Sequence, residues 1–419
     1  MLKLFGRLAA KKRHIYLDYA SATLILPAAT RAVTNAQQLF GNPGSIHADG
    51  VAAAKFLKVS REKIAHELGC KAREIIFVSG GTEGNNLAIL GYARMIGLRK
   101  IMRNSLSSDL KGSQGPSFGI SYTHWIVSSI EHPSVLECFG EVERLGGKVD
   151  FVDPDGSGII QPEAVAHLLR PETVFISVGW SNSEIGVIQP LAQIARVLRV
   201  HEKAHGTSVI FHSDSGQAPL YLGATVHSLD IDLLTLDSGK LYGPRGIGAL
   251  YLNNRVTLAP IMLGGSQERG LRAGSENVAL AAGFAEALRS IASQRNAESK
   301  RLQKLRDDLA REIVTHIPDI IVNGDLVRSL PHMLNISVPN IKSEYVVLAL
   351  DHAGISISTK SACREGEARD SHVVKMLGGD TWRAQNTLRF SLGRDTTTGD
   401  CSHIIETLVR MITRQRAKN

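Results

Sequence analysis

The chain has 419 residues, 43% hydrophobic and 21% charged. These are ordinary proportions for a folded globular protein, which disfavour global disorder and an integral membrane protein, and the length suggests about two domains. The net charge of +8 admits anionic partners, but much of the excess sits in "MLKLFGRLAAKKRH" and "RMIGLRKIMRNSLSSDLKGSQGPS", both of which read as solvated periphery. No direct nucleic-acid or membrane partner is therefore expected.

Residues 1–14 form a basic, acid-free extension. It lacks the apolar core of a signal peptide and the serine richness of a transit peptide, so a cytoplasmic protein is expected. From 15 to 265, short apolar runs alternate with amphipathic helical stretches. "EIIFVSGG", "HWIVSSIE", "KVDFVD", "TVFISVGWSN" and "SVIFHSDSG" read as strands that end in small or polar residues. This alternation predicts a large α/β domain with a mostly parallel sheet, whose ligands bind beyond the carboxyl ends of the strands. Residues 96–121 break the rhythm with Ser, Gly, Pro and Lys, and read as a mobile surface insertion. A connecting helical segment, 266–304, leads to a smaller α+β domain, 305–419.

The strand ends carry Ser79 to Thr82, His132, Asn182, Asp214 and Lys240. Asp214 follows an apolar strand, and a carboxylate buried there needs a cation or several donors. Lys240 stands between another apolar strand and the turn "YGPRG", a fixed and partly desolvated perch for an amine that must reach a carbonyl. An Asp that pairs with a pyridine nitrogen, together with a lysine that carries the cofactor, is the signature of a pyridoxal 5'-phosphate site. Gly80, Gly81 and Thr82 lie between a strand and a helix, where backbone N–H groups and a hydroxyl can hold a phosphate. The four cysteines, Cys70, Cys138, Cys363 and Cys401, show no metal-binding spacing, so no metal site is expected and any thiol chemistry rests on a single cysteine.

Taken in order, "GNPGSIHADG", "SGGTEGNNLAILG", "NSEIGVIQP", "KLYGPRGIGALY", "ERGLRAGSENV" and "RFSLGR" resemble the cysteine desulfurases of the class V aminotransferase family. The resemblance runs from "IYLDYASAT" to "LRFSLGRDTT", apart from the insertion. It implies a fold type I pyridoxal phosphate enzyme, with a large mostly parallel sheet domain and a smaller α+β C-terminal domain. It also implies a homodimer that converts L-cysteine to L-alanine and leaves a persulfide for a sulfur-acceptor protein, such as an iron–sulfur scaffold or a tRNA-thiolation carrier.

The resemblance also implies roles. Lys240 would carry the cofactor and move the substrate Cα proton, Asp214 would pair with the ring nitrogen, and His132 would stack on the ring and assist proton transfer. Gln217 and Asn182 would lie near the cofactor's phenolic oxygen or the substrate. Thr82 and the Gly81 backbone would hold the phosphate, and Ser275 would add a hydroxyl across a dimer interface. Arg389 would grip the substrate carboxylate. Cys363, flanked by Lys360 and Arg364 in "ISISTKSACREGEARDS", would take the sulfur.

The chain departs from the family beside the phosphate. Gly239 stands where a histidine is usual, and Asp237 where a serine or threonine is usual; a carboxylate there repels a phosphate unless it is turned away, hydrogen-bonded or balanced by a cation. Two other readings stay open at this level: a selenocysteine lyase or related class V enzyme, and a noncatalytic scaffold in sulfur trafficking.

Overall fold

The computed structural model describes residues 14–106, 119–359 and 370–416, with backbone alone for 100–106. In chain order its strands are β1 (Ile15–Tyr16), β2 (Ile75–Val78), β3 (His124–Ser128), β4 (Lys148–Val152), β5 (Thr173–Ser177), β6 (Ile210–Asp214), β7 (Leu233–Asp237), β8 (Gly248–Leu252), β9 (Ile321–Val322), β10 (Met333–Ser337), β11 (Ile355–Ser356) and β12 (Thr387–Ser391). They belong to two compact units. One comprises Thr23–Ser183 and Ile188–Arg295, the other the described residues within Met1–Ala22, Glu184–Val187 and Asn296–Asn419.

The first unit holds a seven-stranded sheet of order β2-β8-β7-β6-β5-β3-β4. Neighbours from β4 through β7 run parallel, whereas β8 is antiparallel to both β7 and β2. The central strands read as near-continuous apolar runs because helices cover both faces, whereas edge strand β4 leaves Lys148 and Phe151 exposed. Under the helices Gly81–Leu106 and Pro133–Arg144 lies an aromatic core. Trp125 stacks on Phe175 with ring centroids 5.0 Å apart, and Tyr92 meets Trp125 edge-on at 5.8 Å. Each large side chain fully buried here contributes roughly 1.5–3 kcal/mol through apolar area alone. That core holds the carboxyl ends of β2, β3, β5, β6 and β7 in line along one edge of the sheet.

The second unit contains the small sheets β12-β10-β9, which is antiparallel, and β1-β11, which is parallel. Among the described residues no helix is long and apolar enough to cross a membrane.

One expectation is corrected. Residues 96–106 are not part of a surface loop, because the helix that begins at Gly81 continues to Leu106. After Gly97 it runs through Leu98, Arg99, Lys100, Met102, Arg103 and Leu106, good helix formers, with no Pro and no further Gly. The part of the expected insertion at 107–118 lies outside the described residues.

Candidate active site

A small cavity opens at the carboxyl edge of the large sheet. Its wall includes Glu131, His132, Asn182, Asp214 and Lys240. Glu131 and His132 follow β3, Asn182 follows β5, Asp214 ends β6 and Lys240 follows β7.

Lys240 ends a short 3-10 turn, Ser238–Lys240, directly after β7. The turn is pinned from outside: the Thr23 hydroxyl donates to the Gly239 carbonyl at 2.9 Å and accepts the Tyr242 N–H at 2.7 Å. Gly243 is required at the exit, since a Cβ there would lie 2.2 Å from the Ser238 hydroxyl. Gln217 donates to the Lys240 carbonyl at 3.3 Å. The lysine thus stands on a braced backbone, as an amine held for chemistry requires.

Asp214 closes β6 and opens onto the cavity. Asn85 donates to it at 2.8 Å and the Gly216 N–H at 3.0 Å. Burial pushes its carboxyl up, but the charges of Lys240 and His132 and those two hydrogen bonds pull further the other way, leaving it below the usual carboxylate range. It stays ionised at neutral pH. Behind it, His212 touches the Ser177 hydroxyl at 2.8 Å and the Thr235 hydroxyl at 3.1 Å, and burial pushes its pKa down to about 4 against the pull of Asp214.

His132 caps the helix Pro133–Arg144, with proline in its first turn. Its Nδ1 accepts the Ser134 N–H at 3.1 Å, which leaves Nε2 as the nitrogen for proton transfer. The Ser134 hydroxyl lies 2.8 Å from the same Nδ1 and accepts from Asn85 at 2.9 Å. One buried asparagine therefore ties the imidazole to the carboxylate.

Glu131 was not singled out from sequence. Its side chain is buried, accepts the Gly179 N–H at 2.8 Å and lines the cavity. Burial pushes its carboxyl up to about 8, with the charge of Asp214 adding to the rise and hydrogen bonds from Gly179 and Ser128 opposing it. A Cβ at Gly179 would lie 3.0 Å from a Glu131 oxygen, so glycine is what allows this close approach. Asn85 was missed as well; the only sequence cue is that it stands four residues after Gly81, on the same helix face.

The remaining expected residues are distributed as follows. Asn182 lines the cavity and donates to the Ile130 carbonyl at 2.9 Å. Thr82 is exposed in the first turn of the helix Gly81–Leu106, and Ser275 is exposed just before the helix Val278–His316. Arg389 belongs to the other unit, buried on β12, with one amino group 2.8 Å from Asp18 and 2.7 Å from the Ser21 hydroxyl. Cys363, Lys360 and Arg364 lie outside the described residues. Asp237 is hydrogen-bonded in place: its carboxylate accepts the Gly81 N–H at 3.2 Å and the Gly239 N–H at 2.8 Å.

Lys240, the ionised Asp214 and the His132 imidazole thus border one cavity at the carboxyl end of a mostly parallel sheet. Residues 15–101 and 121–404 match the family model described as aminotransferase class-V. The chain is 34% identical over 406 residues to cysteine desulfurase IscS of Dictyoglomus turgidum, covering 97% of this chain and 96% of that one. It is 35% identical over 403 residues to cysteine desulfurase IscS 1 of Archaeoglobus fulgidus, covering 96% and 98%. Among solved structures it resembles a NifS-like protein, with TM-score 0.82 and 26% identity over 96% of this chain and all of that one. DndA from Streptomyces lividans matches with TM-score 0.70 and 32% identity over 88% and 98%. The chain belongs to the class V aminotransferase family, and within it to the cysteine desulfurases.

The family implies pyridoxal phosphate, and the donor set fits it at the ring end. The ionised Asp214 suits a protonated ring nitrogen, and Lys240 lines the same cavity. At the phosphate end, the Gly81 N–H is engaged by Asp237.

Proposed function

We propose that this chain takes sulfur from L-cysteine, releases L-alanine and holds the sulfur as a persulfide on Cys363. An acceptor protein in iron–sulfur cluster assembly or tRNA thiolation then receives it. The observation that carries the reading is the meeting of Lys240, Asp214 and His132 on one cavity, in a chain of this family. Pyridoxal phosphate, when bound, supplies an electron sink that loosens bonds at the substrate Cα. Lys240 carries the cofactor and moves the Cα proton. Asp214 keeps the ring nitrogen protonated, and His132, oriented by Ser134, assists proton transfer at Nε2. Asn182 and Gln217 flank the reacting groups, and Arg389 binds the substrate carboxylate, for which a planar fork suits better than an ammonium. Thr82 serves the phosphate beside Gly81, whose N–H Asp237 engages, and Ser275 adds a hydroxyl from a second copy in a cytoplasmic homodimer.

In the sulfur step the Cys363 thiolate attacks the substrate sulfur. An S–S bond forms, the Cβ–S bond breaks, and its electron pair passes to the carbon skeleton, which takes up a proton and leaves as alanine. The other cysteines support this assignment, because burial pushes the thiols of Cys70 and Cys138 up to about 12 and that of Cys401 up to about 11. None of these three supplies a thiolate at neutral pH.

The test is alanine release from L-cysteine, with mass spectrometry for added sulfur. Cys363→Ser keeps a yellow chromophore that borohydride fixes to Lys240, but loses turnover and persulfide. Cys70→Ser, Cys138→Ser and Cys401→Ser retain most activity. Parental turnover in Cys363→Ser would replace this reading with a lyase that expels sulfur without a protein thiol.

A further inference from the structure

The carboxylate of Asp237 bridges two backbone segments of the first unit. One oxygen accepts from Gly81, the first residue of the 26-residue helix Gly81–Leu106, and the other accepts from Gly239 in the turn that carries Lys240. The carboxylate lies close against Gly80 and Gly81, where a Cβ on either would stand 3.5 or 3.4 Å from its oxygen nearer Gly81, an ordinary contact distance. No lysine, arginine or histidine forms an ion pair with Asp237 among the described residues, and its hydrogen-bond partners there are the two backbone N–H groups. A phosphate dianion brought to this helix start meets a donor already satisfied and a like charge beside it.

We propose that Asp237 is a specificity-determining residue that fills the backbone anion seat beside Lys240, weakening the grip on a phosphorylated cofactor while leaving recognition of the pyridoxal ring unaffected. The ring is served by Asp214 and Lys240 from β6 and the turn after β7, and Asp237 makes no bond to either side chain. The site thus discriminates less between pyridoxal and pyridoxal phosphate than one whose seat holds a neutral hydroxyl. This inference rests on the cofactor reading above.

The experiment compares the affinity of the cofactor-free chain for pyridoxal phosphate and for pyridoxal, followed by absorbance titration and by the borohydride-fixed adduct on Lys240. The variants are Asp237→Ser and Asp237→Asn; the second keeps the shape and one acceptor if the serine variant folds poorly. Removing the charge tightens pyridoxal phosphate by at least about tenfold, a conservative figure for two like charges at contact distance near a protein surface. Pyridoxal affinity stays within about twofold, well under the tenfold that 1.4 kcal/mol represents. Unchanged phosphate affinity in both variants overturns the proposal. So does an equal change for the two compounds, which would make Asp237 only a brace for the Lys240 turn. If neither compound forms an adduct on Lys240 in any variant, the cofactor reading itself falls, an outcome separate from the other two.

Discussion

Asp214 and Asp237 end neighbouring parallel strands, β6 and β7, and the two strands are in register with Asp214 opposite Thr235. Their backbone settings are alike, yet their surroundings are opposite. Asp214 faces Lys240, His132, the Asn85 amide and one backbone N–H, whereas Asp237 has two backbone N–H groups and no ion pair among the described residues. The first arrangement makes a charge available to a positively charged guest, because the cations that stabilise it border the cavity. The second makes the carboxylate part of the frame and leaves its negative charge facing whatever approaches the helix start. Identical residues at equivalent strand ends thus serve different ends, and their neighbours on other segments decide which.

The comparison breaks most sharply at the carboxylate that faces cations. Asp214→Asn should lower alanine release by about 10²–10³-fold, the scale seen when one preorganised electrostatic partner is removed from a reacting site. Asp237→Asn should strengthen cofactor retention instead. If both variants failed in the same way, the distinction between the two aspartates would be void.

A second test uses Glu131, the carboxyl that the same pocket keeps protonated. Its pKa rises from the ordinary 4.5 to about 8 on folding, so its neutral form costs nothing at low pH. Above pH 4.5 the unfolded chain loses this proton and the folded one does not, so stability falls as pH climbs toward about 8 and then levels. Glu131→Gln should flatten that slope, so that the variant gains on the parent as pH rises. Thermal unfolding across this window reads the effect, and parallel slopes for the two proteins would show that Glu131 is ionised in the folded state.

The smallest expected effect moves Asp214 toward the condition of Asp237. Asn85→Ala removes the side chain that donates to both Asp214 and Ser134. It should cost about 1–3 kcal/mol in urea unfolding, the usual penalty for breaking a buried polar link. The depressed pKa of Asp214 gives stability that is present above its unfolded value and lost as pH falls through its folded value. In the alanine variant that acid loss should begin at higher pH, and an unmoved acid limb would mean that Lys240 and His132 alone hold Asp214 ionised.

Strands β2 to β6 were legible as apolar runs closed by polar residues, and the same pattern marked His132, Asn182, Asp214 and Lys240 as neighbours at one edge. That inference works because a parallel sheet aligns carboxyl ends whatever the loops contain. The pairing of Asp237 with Gly81 was not legible, since it joins residues 156 positions apart and depends on where β2 falls in the sheet. Glu131 stayed hidden for a related reason. A glutamate beside a histidine after a strand gives no sign of being buried, and its burial depends on the close approach that Gly179 allows. Residues 96–106 look like loop by polarity and like helix by propensity, because they combine charged and straight-chain side chains, and here propensity wins.

The place of β2 has a consequence for how the chain is made. All of its ladder is with β8, roughly 170 residues later in the chain, and all four of its residues are buried. At about 5–20 residues per second, ribosomal synthesis leaves this apolar segment without its partner for roughly 10–35 seconds. The growing polypeptide is therefore most open to aggregation before Leu252 emerges, and a truncation that ends short of β8 should be recovered in inclusion bodies.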